Sequence, residues 1–364
     1  MKVLHIEAGR HLYGGARQVL YIVEGLARRG VENLLACPTG SHIARAANAH
    51  ARVVELPMKG DLDIGLAVRL RRLIAAERPD LVHVHSRRGA DLWGGVAARL
   101  AHLEPGRGKV HVARLGGYYK LDPFRHAHAW IGNTKGLCDW MIRGGLPAGR
   151  VFHITNFADP VHAVADDELA ALRRRIDLRP EDCILLTAGR LIEVKGHRYL
   201  IDAMSRLPAE IGGRRVRLVV LGDGELADRL AEQARQAGVA ERILWAGWQH
   251  DPAPWFHVAD MVVFPSRDAE TLGNVILEAW AYGKPLVVSA FRGAREITRP
   301  GEDAWVVPCD DAAALAAGIE QVLRNPDLQA RMVTNGRARI ARDFSEAAVI
   351  AQYRALYAQL LDNR

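Results

Sequence analysis

The stretch "RDAETLGNVILEAWAYGKP", residues 267–285, lies between two apolar runs, "MVVFPS" and "PLVVS". It reads as a loop and a helix joining two buried strands. A helix that only packs needs neither a Leu-Gly-Asn start nor acids at Glu270 and Glu278, eight positions apart. Leu272, Gly273 and Asn274 fall where the helix begins, near Leu272–Gly273 and running to Tyr282. Their N–H groups are helix-start donors without an intrahelical partner. Such donors suit a phosphate oxygen, and Gly273 lets it approach closely. Glu278 lies about one and a half turns in, and its carboxylate can accept the two hydroxyls of a ribose. Glu270, ahead of the helix, can do the same for a sugar. An anion held by amides between two polyols held by acids describes a nucleoside-diphosphate sugar.

Working outward, "CILLTAGR", "RLVVLGDG", "RILWAG", "MVVFPS", "PLVVSA" and "AWVVP" form one series of strands with helical patterns between them. An earlier series holds "KVLHIEA", "LLACP", "VVELPM", "LVHVHS", "KVHVARL" and "AWIGNT". Both have the rhythm of a parallel, doubly wound α/β sheet. "HITNFADPVHAVADDE" (153–168) has little periodicity and reads as the linker. The chain's last helical segment starts at Ser345, a suitable cap. Two open parallel sheets imply a cleft between two Rossmann-like domains, with ligands beyond the carboxyl ends of the strands.

The residues after each strand fit that placement. "AGRHLYGGARQ" puts Gly14 and Gly15 at a helix start, able to meet an anion or to form a plain tight loop. It is not GxGxxG, and no acidic ribose reader follows "LLACPTG", so NAD is not expected. Arg190 and Lys195 flank a short turn, where two cations could straddle a diphosphate or simply meet solvent. Gly222 and Gly224 stand where a bulky side chain would obstruct a planar base.

The 364 residues suggest two domains, and 49% apolar content suits a real core. No apolar run approaches the ~18 residues of a membrane span, and "MKVLHIEAG" turns polar too early for a signal peptide. Cys37, Cys138, Cys183 and Cys309 are scattered and read as buried thiols in a reducing cytoplasm. Residues 1–165 carry 23 Lys+Arg against 13 Asp+Glu, a net of +10; residues 166–364 carry 26 against 29, a net of −3. The basic part could meet anionic lipid, a phosphorylated sugar or nucleic acid, or be ordinary solvation. Its cations are not interleaved with aromatics in one segment, which disfavours nucleic acid.

"PSRDAETLGNVILEAWAYGKPLVVS" resembles the E-x7-E signature of the retaining glycosyltransferases of family 4 with the GT-B fold. "GGARQVLYIVEGLARRG", "PDLVHVHS", "WIGNTKGLCDWMIRGGLPAGRVFHITNFAD", "AGRLIEVKG" and "PGEDAWVVPCDDAAALAAGI" resemble that family's other blocks, in order and spacing over nearly the whole chain. The resemblance implies an acceptor-binding domain over 1–160, completed by a helix at 345–364, and a nucleotide-sugar domain over 161–344. Arg190 and Lys195 would hold the diphosphate and stabilise the leaving group, with Glu270 on the donor sugar. Leu272, Gly273 and Asn274 would donate to phosphate or sugar, and Glu278 would hold the ribose. Gly14 and Gly15 would approach the phosphate, Gly222 and Asp223 would lie on the donor side, and Trp248 and Gln249 of "WAGWQHD" would lie along the base. Where many relatives carry a His after the fifth strand, this chain has Gly116, so Arg114, Tyr118, Tyr119 or His85 could compensate. His85 and Ser86 end a strand and on this reading face the cleft; the alternative is a satisfied structural histidine at His85.

The activity so implied is transfer of a sugar, with retention, from a nucleoside diphosphate to a hydroxyl of a glycan or glycolipid, in building lipopolysaccharide or another surface polysaccharide. Asp166-Asp167 and Asp310-Asp311 fall in the linker and at a late helix start, not in a DxD loop, so no metal and no cofactor are expected. The enzyme would work in the cytoplasm, at the inner face of the membrane. A sugar-nucleotide epimerase or phosphorylase on the same scaffold, or a non-catalytic partner subunit, remains open.

Overall fold

The computed structural model describes residues 1–10, 14–47, 49–60, 63–85, 93–99, 110–158, 161–179 and 181–362. The chain divides into two compact units, Met1–Phe157 with Ser345–Arg364, and Ala158–Phe344. Ser86 and the 11–13 part of the first glycine loop lie outside the described residues.

In the first unit, seven strands run β1 (Lys2–Ile6), β2 (Glu32–Pro38), β3 (Arg52–Leu56), β4 (Leu81–His85), β5 (Val110–Leu115), β6 (Ala129–Gly132) and β7 (Val151–His153). Their order in the sheet is β3-β2-β1-β4-β5-β6-β7, all parallel. The linker expected from residue 153 begins inside β7, a short strand that "RVFHI" does not announce by length. Alternate residues serve opposite faces. Leu4, Ile6, Val82 and Val84 pack on one side with Leu66, Leu70 and Ile74 of the helix Ile64–Glu77. Val3, Leu81 and Val112 pack on the other with Ile22 and Leu26 of the helix Gly14–Ala27. Burial on both faces explains why the strands read as apolar runs.

The second face is completed by the helix Glu346–Asp362, which supplies Val349, Ile350, Tyr353, Leu356 and Tyr357. Ser345 Oγ caps it, accepting from Ala348 N at 3.2 Å. A side chain at Gly25 would stand 2.6 Å from Ile350, so the two helices meet as closely as their backbones permit. Glu346 binds Arg28 and Arg29 at 2.6 and 2.8 Å.

Beneath this helix lies a buried polar layer. Register pairs His5 with His83, and His85 with Arg114. Asn33 Nδ2 donates to the Val23 carbonyl, which turns Asn33 Oδ1 toward His5 Nε2 at 3.2 Å. His5 Nε2 is therefore the donor, and His5 Nδ1 accepts from His85 Nε2 at 3.1 Å. His83 Nδ1 meets the Tyr357 hydroxyl at 2.6 Å. Burial pushes the His5 imidazole down to about 4. Burial, then the neighbouring imidazoles and Arg114, hold His83 and His85 well below their ordinary range.

In the second unit the strands are β8 (Asp182–Ala188), β9 (Glu210–Ile211), β10 (Arg214–Leu221), β11 (Ile243–Gly247), β12 (Met261–Phe264), β13 (Leu286–Ser289) and β14 (Trp305–Val307). The parallel order is β11-β10-β8-β12-β13-β14, with β9 antiparallel on β10. Two apolar cores sandwich this sheet, one around Leu185, Leu218, Val220 and Val263, the other around Ile184, Leu186, Val262 and Phe264. Among the described residues no helix is long and apolar enough to cross a membrane.

The neutral histidine layer makes the first unit acid-sensitive. The unfolded chain takes up protons below its ordinary value of 6.5, whereas folded His5 stays neutral to about 4. Stability is therefore full above pH 6.5 and falls toward pH 4, by up to about 1.4 kcal/mol per pH unit for each imidazole kept neutral. Thermal unfolding followed across this window should show a falling Tm, with a shallower fall in His5→Gln; a Tm independent of pH would contradict the neutral layer.

Candidate functional site

The second sheet is buried on both faces, so its polar side chains collect where strands end. Arg190 follows β8, Gly222 and Asp223 follow β10, Trp248 and Gln249 follow β11, and Glu270 to Asn274 follow β12. Because β10, β8 and β12 are neighbours, the loops after them share one edge.

The turn after β8 is a short helical turn, Glu193–Lys195, ended by Gly196 in the left-handed region. It projects Lys195 toward the loop after β12, where Lys195 Nζ donates to Glu270 Oε2 at 2.6 Å. Both side chains are mostly enclosed, with 18% and 15% exposure. The ammonium also lies 5.2 Å from the Phe264 ring centroid, a contact that favours a cation.

The helix expected from Leu272–Gly273 spans Asn274–Ala281, with Gly273 as its N-cap at φ 78°. Val275, Ile276, Leu277, Ala279 and Trp280 are buried, whereas Asn274 and Glu278 keep partial exposure. Those two are four residues apart and share a face. The apolar positions thus anchor the helix and leave one polar stripe, in line with its N-terminus.

Gly273 has an internal reason as well as the expected one. A β-carbon there would stand 2.7 Å from both Phe264 and Phe291, which meet edge to face. Gly222, at φ 139°, is likewise required by the fold: its β-carbon would collide with the Gly189 carbonyl. The expectation that it clears room for a base is therefore not needed to explain it. Asp223 is exposed; its carbonyl accepts from Leu191 N at 2.9 Å, and its carboxylate accepts from Gly224 N at 2.7 Å. This ties the loops after β8 and β10 together. Arg190 is exposed at the same edge. Trp248 is 40% exposed and meets His250 edge to face, an available flat apolar surface. Gln249 turns its amide back to the Ala246 carbonyl.

Some supports were not foreseen. Arg267 N donates to the Val194 carbonyl at 2.9 Å, and its guanidinium grips Asp310 at 3.0 Å and Glu193 at 3.8 Å. One residue thereby ties the lysine-bearing turn to the loops after β12 and β14. Asp310, read from sequence as a helix-start acid, sits at φ 59°, outside the helix that Asp311 caps. Asp268 pairs with Arg295 at 2.8 Å and Arg292 at 3.5 Å. Ser266, buried, offers its carbonyl to Ser289 Oγ and Cys309 Sγ. The acids and cations of this loop are visible in sequence, but their pairings are long-range and carry no local signature.

In the first unit, Gly14 opens the helix Gly14–Ala27, and a side chain at Gly15 would meet nothing within 4 Å. His85 is fully buried and bonded to His5, the satisfied structural histidine and not a residue facing an open strand end. Arg114 is 2% exposed and donates to Asn156 Oδ1 at 2.6 Å. The reason is the sheet's alternation, which turns both side chains into the polar layer under the last helix. Tyr118 is half-buried and packs edge to face on Trp140, while Tyr119 is 40% exposed. His5, His83 and His85 each bring a ring nitrogen within 4.8 Å of the others. Both nitrogens of His5 are already used in hydrogen bonds, and Arg114 pairs in register with His85, so the cluster reads as hydrogen-bonded imidazoles.

Replacing Gly273 by Ala should destabilise the second unit by about 1–3 kcal/mol, since strain at positive φ and overpacking both apply. Denaturant unfolding without any ligand checks this; an unchanged midpoint would show that the aromatic pair yields freely.

Comparison with known proteins agrees with this architecture. The family described as glycosyl transferases group 1 matches residues 170–339, and Glycosyltransferase Family 4 matches residues 13–181. The chain is 32% identical over 363 residues to the lipopolysaccharide core biosynthesis glycosyltransferase LpsE of Rhizobium meliloti (strain 1021), covering 98% of this chain and 99% of that one. It is 27% identical over 369 residues to LpsD of the same organism, covering 98% of each. Anabaena HepE, solved in complex with UDP and glucose, superposes with a TM-score of 0.85 at 19% identity over 99% of this chain and 100% of that chain. The chain therefore belongs to the glycosyltransferases of the GT-B fold.

Proposed function

We propose that this chain is a retaining, metal-independent glycosyltransferase that moves a sugar from a UDP-sugar to a hydroxyl of a lipid-carried envelope glycan, at the cytoplasmic face of an anionic membrane. The observation that carries the reading is the Lys195–Glu270 pair, 2.6 Å long, beside the Asn274–Glu278 stripe at one sheet edge. The names of LpsE and LpsD support an envelope acceptor, and the HepE complex supports uridine as the base.

In this reading the ion pair is the resting arrangement. A diphosphate offers Lys195 a more highly charged partner, and Arg190 adds a fork-shaped donor. Glu270, released from Lys195, is then free to accept hydroxyls of the sugar, while Glu278 accepts the ribose diol. As the glycosidic bond breaks, negative charge gathers on the departing phosphate, where Lys195, Arg190 and the amides around Gly273 stabilise it. These groups do the work that a divalent cation does elsewhere. The acceptor hydroxyl attacks from the same face, and the leaving phosphate oxygen takes its proton.

UDP-sugars, tested against GDP- and ADP-sugars, should raise the apparent melting temperature, since a ligand at one hundred times its Kd adds about 2.7 kcal/mol. No stabilisation by any uridine donor would overturn the reading. Lys195→Ala should lower kcat by about 100–1,000-fold, the usual loss for one preorganised donor, and EDTA should leave the wild-type rate unchanged. Full activity in Lys195→Ala, or loss with EDTA, would remove the diphosphate role or the metal independence respectively.

A further inference from the structure

Lys195 reaches the site from a short turn, Glu193–Lys195, on a flexible four-carbon stem. In the resting arrangement Glu270 fixes its ammonium at 2.6 Å. In the proposed chemistry a diphosphate takes that ammonium over, so the turn then needs another hold. Arg267 offers one through three of its groups. Its N–H donates at 2.9 Å to the carbonyl of Val194, one residue before Lys195. Its carbonyl accepts from Glu270 N at 2.9 Å, so the same residue fixes the backbone of the other member of the pair. Its guanidinium lies 3.8 Å from Glu193, where the turn begins. None of these contacts uses the Lys195 ammonium or the Glu270 carboxylate.

The guanidinium is itself locked. Nε donates to Asp310 Oδ1 at 3.0 Å and Nη2 to Oδ2 at 3.4 Å, two prongs on one carboxylate. Asp310 presents that carboxylate from left-handed backbone, φ 59°, directly before the helix cap Asp311. A residue other than glycine in that region is uncommon and is held there by its surroundings. Gly196, which ends the lysine turn, lies so close to Pro265 that a β-carbon would collide with the Pro265 carbonyl. The turn is thus pressed against the segment that leads into Arg267. Arg267 and Asp310 are each 39% exposed, and pairs so exposed add little to stability. A two-pronged lock in that setting does more for placement than for folding.

We infer that Arg267 is a positioning residue: locked by Asp310, it keeps the Lys195 turn against the Glu270 loop once the ammonium has left Glu270 for a diphosphate. It acts through Lys195 and not on the donor. This role rests on the proposed grip of Lys195 on the diphosphate and adds the residue that holds that grip steady.

The probes are UDP and UMP, titrated calorimetrically into the full chain, because the ratio of their affinities reports the hold on the second phosphate. Arg267→Ala should weaken UDP by about fivefold or more and leave UMP within about twofold. Arg267→Lys keeps the charge without the fork and should fall between Arg267→Ala and wild type. Asp310→Asn tolerates the left-handed conformation but loses the charge; it should weaken UDP in the same direction, and no further when combined with Arg267→Ala. In a Lys195→Ala background, Arg267→Ala should cost nothing more. Melting temperatures of the Arg267 and Asp310 variants should stay within about 3 °C of wild type, which separates misplacement from unfolding. Unchanged UDP affinity in Arg267→Ala, equal losses for UDP and UMP, or a further loss on top of Lys195→Ala overturns the positioning role and leaves the donor reading standing. A wild type that binds UDP no better than UMP, or a Lys195→Ala variant that binds UDP as wild type does, overturns the diphosphate reading and the positioning role with it.

Discussion

The pairing of Lys195 with Glu270 depends on two strands being neighbours. Lys195 leaves β8 and Glu270 follows β12, seventy-five residues later, and only their adjacency in the sheet brings the two charges to 2.6 Å. A sheet covered on both faces has no room for such groups along its strands, so they gather at the ends. There Arg267 and Asp223 stitch the loops to one another, which keeps short, solvent-facing segments in one arrangement. Individually such surface pairs contribute little. Their value lies in limiting how far Lys195 and Glu270 wander, as the proposed chemistry would require, since such chemistry is steeply sensitive to position.

Much of this was legible in the sequence. Strands buried on both sides appear as β-branched runs, and the six runs in each half that read as strands are strands in the structure. The helix after β12, expected from Leu272–Gly273 and found from Asn274, and the acids around it were legible for the same reason: polar residues break an otherwise apolar pattern. The strands β7 and β9, of three and two residues, were not. They are short and lack the apolar run that made the equally short β14 legible, and pairing with a neighbour is what defines them.

Side-chain direction was the harder matter. His85 ends its strand, as expected, yet the alternation of β4 turns it inward with His83 and His5. The presence of a strand end does not say which face its last residue takes, and here the covering helix comes from the far end of the chain. Gly222 and Gly273 show a related ambiguity. Each is compatible with a ligand close by, but neighbouring backbone and aromatic rings demand glycine at both without one.

The first unit is assembled from two separated pieces of chain, with the whole second unit inserted between Phe157 and Ser345. On the ribosome, the second sheet is complete while the first sheet still lacks Tyr353 and Tyr357 over its histidines. That surface stays uncovered until translation passes residue 357, so a nascent chain carries a finished unit beside an unfinished one. Truncation before the final helix would make this temporary state permanent. The wet imidazole row would then be free to take up protons at neutral-to-mild acidity, well before the intact protein does.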